Sequence, residues 1–216
     1  MTGLNSVSWD LRYASATQFP GMILWGGGVG GPLSAPGTYQ VRLTADGVLQ
    51  TQPLVVKRHP LYVGISDADL QEQFDLAIQI RDKTSEANNA VIQIRSIKAQ
   101  VLDRVGKSNG DSRIKAAGDL LAKNLSAVEE DIYQVKNQAG QDPLNFPIKT
   151  NNRLASLLSM VNRGDGKPIG NAPVVFADLK AELKGETDRL AKALAADLPA
   201  FNVEAKRLGL DPVTEK

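Results

Sequence analysis

Between residues 70 and 105, apolar side chains return every three or four positions: Leu70, Phe74, Ala77, Ile80, Ala87, Val91, Ile94, Ile97, Val101 and Val105. That spacing holds one apolar stripe on one side of an α-helix about 55–60 Å long. Such a stripe needs other elements to cover it. Ser66 with Asp69 three residues on has the form of a capping box, in which hydroxyl and carboxylate satisfy orphan amide donors. The polar run at 84–89 marks a bend, and Gly106 with Asn109-Gly110 ends the helix. A second helix starts at Asp111 or Ser112, carries Ile114, Ala117, Leu121, Leu125, Val128, Ile132 and Val135, and runs on until Gly140. Pro143 and Pro147 make an irregular connector. A short third helix follows Thr150, with Leu154, Leu157, Leu158 and Val161 on one face. The last begins after Asn171 with Pro173 in its first turn and carries Phe176, Leu179, Leu183, Leu190, Leu194, Phe201, Ala205 and Leu208. Pro199 is expected to kink it. Residues 66–216 are therefore predicted as an up-down four-helix bundle with one long helix, its core including Leu70, Phe74, Leu179 and Leu183.

Residues 1–58 have a different period. Every second residue is apolar in 7–13 and again in 39–44, the pattern of half-buried strands. Ala45-Asp46-Gly47 supplies a hairpin turn into a return strand over 48–56. Met22-Ile23-Leu24-Trp25 reads as a short fourth strand, opening into the glycine-rich loop Gly26-Gly27-Gly28-Val29-Gly30-Gly31-Pro32. Four strands are fewer than the seven or so of a self-sufficient immunoglobulin-like sandwich. Half a sandwich leaves an open apolar face and an unpaired edge, so the missing strands are expected before Met1. The expected fold class is α+β: a partial immunoglobulin-like β-sandwich over 1–58, a linker over 59–65, then the bundle.

Composition removes several functions. The 216 residues hold 25 Lys and Arg against 24 Asp and Glu, a formal charge of +1, which argues against nucleic acid as a partner. With no Cys there is no disulfide framework, thiol nucleophile or Cys-ligated zinc. No apolar run is long enough for a membrane span, and the first six residues show no signal-peptide pattern. Gly26, Gly28 and Gly31 match G-x-G-x-x-G, but no helix follows to receive a pyrophosphate. Gly166-Lys167 is followed by Pro168, where a phosphate loop needs Ser or Thr. The single histidine, His59, sits beside Pro60 in the linker and reads as a hinge residue. Glu129-Glu130-Asp131 is the densest carboxylate cluster and is placed on a solvated helix face opposite Val128 and Ile132. Asp67 and Asp69 offset a helix dipole, and the Asn124-Leu125-Ser126 sequon falls inside a helix. No cofactor, metal or catalytic residue is expected.

The aromatic residues carry more. Trp9, Tyr13, Phe19, Trp25 and Tyr39 crowd into the first 39 positions. Sandwich core accounts for most of them. Trp9, Tyr13, Phe19 and Trp25 are the candidates for contact with a neighbouring domain or a sugar, Tyr13 and Phe19 above all because they flank a loop.

Three strings resemble a known family: 9–13 (Trp-Asp-Leu-Arg-Tyr), 19–27 (Phe-Pro-Gly-Met-Ile-Leu-Trp-Gly-Gly), and 36–44 (Pro-Gly-Thr-Tyr-Gln-Val-Arg-Leu-Thr). With 68–76 and Asn151-Asn152-Arg153-Leu154 they resemble the C-terminal portion of bacterial BNR-repeat or sortilin-like glycosyl hydrolases. The resemblance implies an exported, secreted or periplasmic parent, with a signal peptide and sialidase- or sortilin-like β-propellers first, then an immunoglobulin-like segment and a helical tail. The propeller's Asp-box is absent here, so no catalytic residue carries over, and propeller likeness says little about chemistry. The expected role is a non-catalytic accessory module whose partner is the upstream β-propeller. The alternatives are a glycan- or envelope-binding module and, last, part of a glycoside hydrolase site using Glu129 and Glu130. The open β face also offers a route to a homo-oligomer.

Overall fold

A computed structural model describes residue 3 and residues 6–215. Residues 1, 2, 4, 5 and 216, at the ends of the expected strand and bundle segments, lie outside the described residues. The protein is α+β, with a two-stranded antiparallel sheet of β1 (Gly37–Ala45) and β2 (Val48–Val56), followed by four helices. These are α1 (Asp67–Gly106), α2 (Ser112–Ile132), α3 (Thr150–Val161) and α4 (Ala172–Arg207), with a 3-10 turn at Asp142–Leu144.

The helix starts follow local chemistry. Ser66 Oγ accepts from the Asp69 N–H at 3.1 Å while the Asp69 carboxylate accepts from the Ser66 N–H at 2.7 Å. Asp111 Oδ1 accepts from the N–H groups of Arg113 and Ile114 at 3.1 Å and so caps α2. At the end of α4, Gly209 at φ 70° lets the N–H groups of Gly209 and Leu210 return to the carbonyls of Lys206 and Ala205, a Schellman closure. The tail then folds back on α1, burying Val213 and bonding Thr214 to Gln100.

These carboxylates set an acid limit. N–H and hydroxyl bonds from Ser66 hold Asp69 below its ordinary value of 3.8, the Arg207 guanidinium does so for Asp111, and the N–H groups of Gln138 and Ala139 for Asp142. A depressed folded value means the unfolded chain binds more protons on acidification. The stabilisation is present above about pH 4 and is lost below it. Burial raises Glu186, which acts in the opposite sense. A urea midpoint that is flat from about pH 7 to 5 and falls below about pH 4 is the expected result; a midpoint that rises on acidification contradicts it.

The long helix is continuous. It runs on through its polar middle, where Thr84 and Ser85 donate to the carbonyls of Ile80 and Arg81 and Asn88 is fully buried among partners. Four helices form, but not in simple up-down order. Gln73 reaches the carbonyl of Val161, Asn151 meets Asn88, and Arg95 meets Glu129, so α2 and α3 both run antiparallel to α1. Arg113 pairs with Glu204, Arg189 with Asp131 and Arg153 with Glu182, so both are antiparallel to α4 as well. In cross-section there are three rods: α1, α4, and α2 with α3 set end to end. Leu179 and Leu183 lie in the core as expected. Leu70 and Phe74 are only half-buried, because the first turns of α1 extend beyond the rods toward the N-terminal segment.

The N-terminal region departs further from expectation. The described residues form two strands of the four expected, and no second sheet faces them. Residues 11–16 run against 29–34 through three main-chain bonds, Tyr13 to Pro32, Ala16 to Val29 and Ser34 to Leu11, at 2.7–2.9 Å. Leu11 at φ 64° interrupts the strand, leaving one isolated bridge between Arg12 and Leu33. The segment expected as a strand at 22–25 is held instead by the side chains of Tyr133, just after α2, and Asn152 of α3.

Candidate functional site

In β1 and β2 the register places Tyr39 opposite Leu54, Val41 opposite Gln52, Leu43 opposite Gln50 and Ala45 opposite Val48. Alternation puts these side chains on one face of the hairpin. Val41, Leu43 and Val48 are 49%, 58% and 60% exposed. Both outer edges of this two-stranded sheet carry main-chain donors and acceptors with no neighbouring strand among the described residues.

At the root of the hairpin this face meets the aromatics. The Trp9 ring lies edge-on to Tyr39 at 6.2 Å, and the Tyr13 ring lies 4.9 Å from Phe74 of α1. Tyr39 donates to the carbonyl of Ala35 at 2.8 Å, and burial, then Tyr13, raise its phenol above the usual value. Trp9 and Tyr13 keep 45% and 39% of their surface exposed. The hairpin face and these rings make one apolar strip from the tip of the hairpin to the start of α1.

The other two sequence candidates lie elsewhere. Phe19 is buried, edge-on to Tyr133 at 5.0 Å with the Arg95 guanidinium 4.7 Å above its ring. Trp25 is bonded through its main chain to Asn152 of α3, and the residue is 40% exposed. The strip's aliphatic members, Val41, Leu43 and Val48, were legible as a strand face, yet alternation alone does not say whether a face is covered.

The carboxylate cluster needs a correction. Glu129 is not on a solvated face: it is buried at 4% exposure and receives Arg95 at 2.6 Å and Lys98 at 3.0 Å, while Glu130 is exposed. Two cations from α1 offset its desolvation, so this carboxylate joins helices. His59 Nδ1 accepts from the Leu61 N–H at 3.3 Å and its ring lies tilted against Tyr62 at 5.2 Å. Tyr62 donates to Asp165 at 2.6 Å, which ties the linker to the loop after α3, beside a cavity of about 170 Å³. Among the described residues no group of three or more His, Cys, Asp or Glu is arranged to hold a metal ion, and no helix is long and apolar enough to cross a membrane.

Fold and site together define an α+β protein in which a helical body displays an uncovered two-stranded hairpin bordered by aromatic rings. The chain matches no protein-family model, no curated protein and no solved structure.

Proposed function

We propose that this chain is a non-catalytic interaction module that docks through the hairpin face, with Trp9 and Tyr13 as flanking anchors, onto a β-rich partner. The observation that carries this is the exposure of Val41, Leu43 and Val48 on one face of a two-stranded sheet. An isolated two-stranded hairpin is marginal in water, and native sheets seldom leave an apolar face and two edges bare. A partner that adds a strand at an edge and covers the face answers both needs. The partner implied by the family resemblance is the β-propeller of a larger exported protein. Trp9 and Tyr13 are also exposed enough to stack on a sugar, the second reading.

Two lysines test the face. Leu43→Lys with Val48→Lys falls on exposed positions, so the melting temperature is expected to change by less than the equivalent of about 1 kcal/mol. The wild-type chain is expected to bind a hydrophobic dye and self-associate on concentration, and the double variant to lose both. A variant that loses its fold makes the face part of a core and ends the docking reading. For the parent, an immunoblot of source cells is expected to show a band far above 23.2 kDa in the exported fraction. A band near that mass removes the propeller as partner.

A further inference from the structure

Residues 17–28 lie along α1 and α3 without a β-ladder, and their main chain is bonded by side chains of those helices and of Tyr133, the residue after α2. Ser85 Oγ accepts from the Thr17 N–H at 3.1 Å, and Asn88 Nδ2 donates to the Thr17 carbonyl at 2.7 Å. The Tyr133 hydroxyl accepts from the Ile23 N–H at 3.0 Å. Asn152 closes a ring on one residue, its Oδ1 accepting from the Trp25 N–H at 2.7 Å and its Nδ2 donating to the Trp25 carbonyl at 2.8 Å. Ser159 Oγ accepts from the Gly28 N–H at 2.8 Å. Asn88 and Asn152 are 0% and 3% exposed. Buried amides on helix faces are costly unless something satisfies them, and here an irregular main chain that turns at Phe19–Met22 does.

These contacts are indifferent to side chains, so selectivity rests on a few positions. Phe19 fills a slot between Tyr133 and Arg95. Gly27 passes so close to α3 that a Cβ there would lie 2.7 Å from the Ser156 nitrogen and 2.9 Å from the Ala155 carbonyl carbon. An aromatic residue, the partly buried Met22 three positions on, and a glycine eight positions on are what the surface can distinguish.

We infer that this face of α1 and α3 is a peptide-binding groove that reads main chain, and that residues 17–28 are its resident ligand. The ligand class is a peptide with a Phe at the first anchor, a β-turn over Phe19–Met22 with Gly21 at φ 74°, and a Gly at the second anchor. Held in place, the segment fixes the aromatic strip and hairpin against the bundle; displaced, it frees them.

The test cuts the folded full chain once. A site-specific protease sequence placed between Leu61 and Val63, which are 79% and 91% exposed, opens the linker without touching the groove. After cleavage the two halves are expected to co-elute, and excess synthetic peptide of residues 14–30 is expected to release the N-terminal half. The same peptide with Phe19→Ala and Gly27→Val is expected to release none. Asn152→Ala in the chain removes both Trp25 bonds from the resident segment and the free peptide alike, and is expected to speed dissociation of the cleaved halves on dilution about tenfold. Halves that part without competitor, release by neither peptide, or equal release by both would each overturn the groove. None of these readouts depends on the hairpin face, so the docking reading stands or falls separately.

Discussion

Replacing Phe201 with alanine is expected to cost about 3–5 kcal/mol, the range for a fully buried aromatic in a core that cannot collapse around the loss. Phe201 has no exposed surface and sits where the three rods meet. A Cβ built on Gly118 of α2 would lie 3.2 Å from its ring and equally close to Val101 of α1, with Val105 at 3.0 Å. The ring therefore fills a space to which α1, α2 and α4 all contribute, and glycine at 118 makes room for it. In a chain of this size each kcal/mol lowers the melting temperature by roughly 2–4 °C, so the variant is expected to melt roughly 6–20 °C lower. Phe74→Ala is the comparison. The apolar stripe alone suggested a similar cost, but Phe74 is half-buried and its ring partner Tyr13 is exposed. Its loss is expected to be about 1–2 kcal/mol. Thermal melts followed by circular dichroism separate the two; equal losses would refute this placement of the core.

The helices were legible because their stripes, caps and stops agree. Ser66, Asp111 and Asn171 each mark a start that the structure keeps. The end of α2 was not, since periodicity carries it on to Val135 while the helix stops at Ile132. Tyr133 leaves the helix with an extended backbone, its ring against Phe19 and its hydroxyl on residues 17–28, the strap along α1 and α3, a long-range demand that a local pattern does not contain. The hairpin was legible from alternation plus Asp46-Gly47, both at positive φ. Alternation in 7–13 misled because it signals an extended chain, not a paired one. The site divides in the same way: Trp9 and Tyr13 stood out by residue type, whereas Asn88, Asn152 and Ser159 resemble ordinary polar helix positions until the strap lies on them. Glu129 was misplaced for a related reason. One helix's pattern assigns it to the polar side, and only the neighbouring Arg95 and Lys98 make that side an interior.

Gly31→Ala is expected to detach the N-terminal layer while leaving the bundle folded. Gly31 is buried at the crossing of 11–16 and 29–34, and a Cβ there would overlap the Tyr13 carbonyl and lie 2.6 Å from the Ala14 oxygen. Those atoms are main chain, so no rotamer change relieves the overlap. The two segments must separate, and with them go the bonds joining Tyr13 to Pro32 and Ala16 to Val29. The expected local cost is about 3 kcal/mol or more, at the upper end for overpacking because backbone must move. The core of α1, α2 and α4 does not pass through this crossing, so helical circular dichroism should stay within a few per cent of wild type. Hydrogen exchange is expected to accelerate across 11–34 and to remain slow in the middle of α1 and α4. The neighbouring Gly30 has nothing within 4 Å of a built Cβ, so Gly30→Ala is the control and should leave exchange unchanged. If Gly31→Ala instead lowers helicity along with exchange protection, the layer and the bundle fold as one unit, and the strap is part of the bundle's stability and not a separable attachment to it.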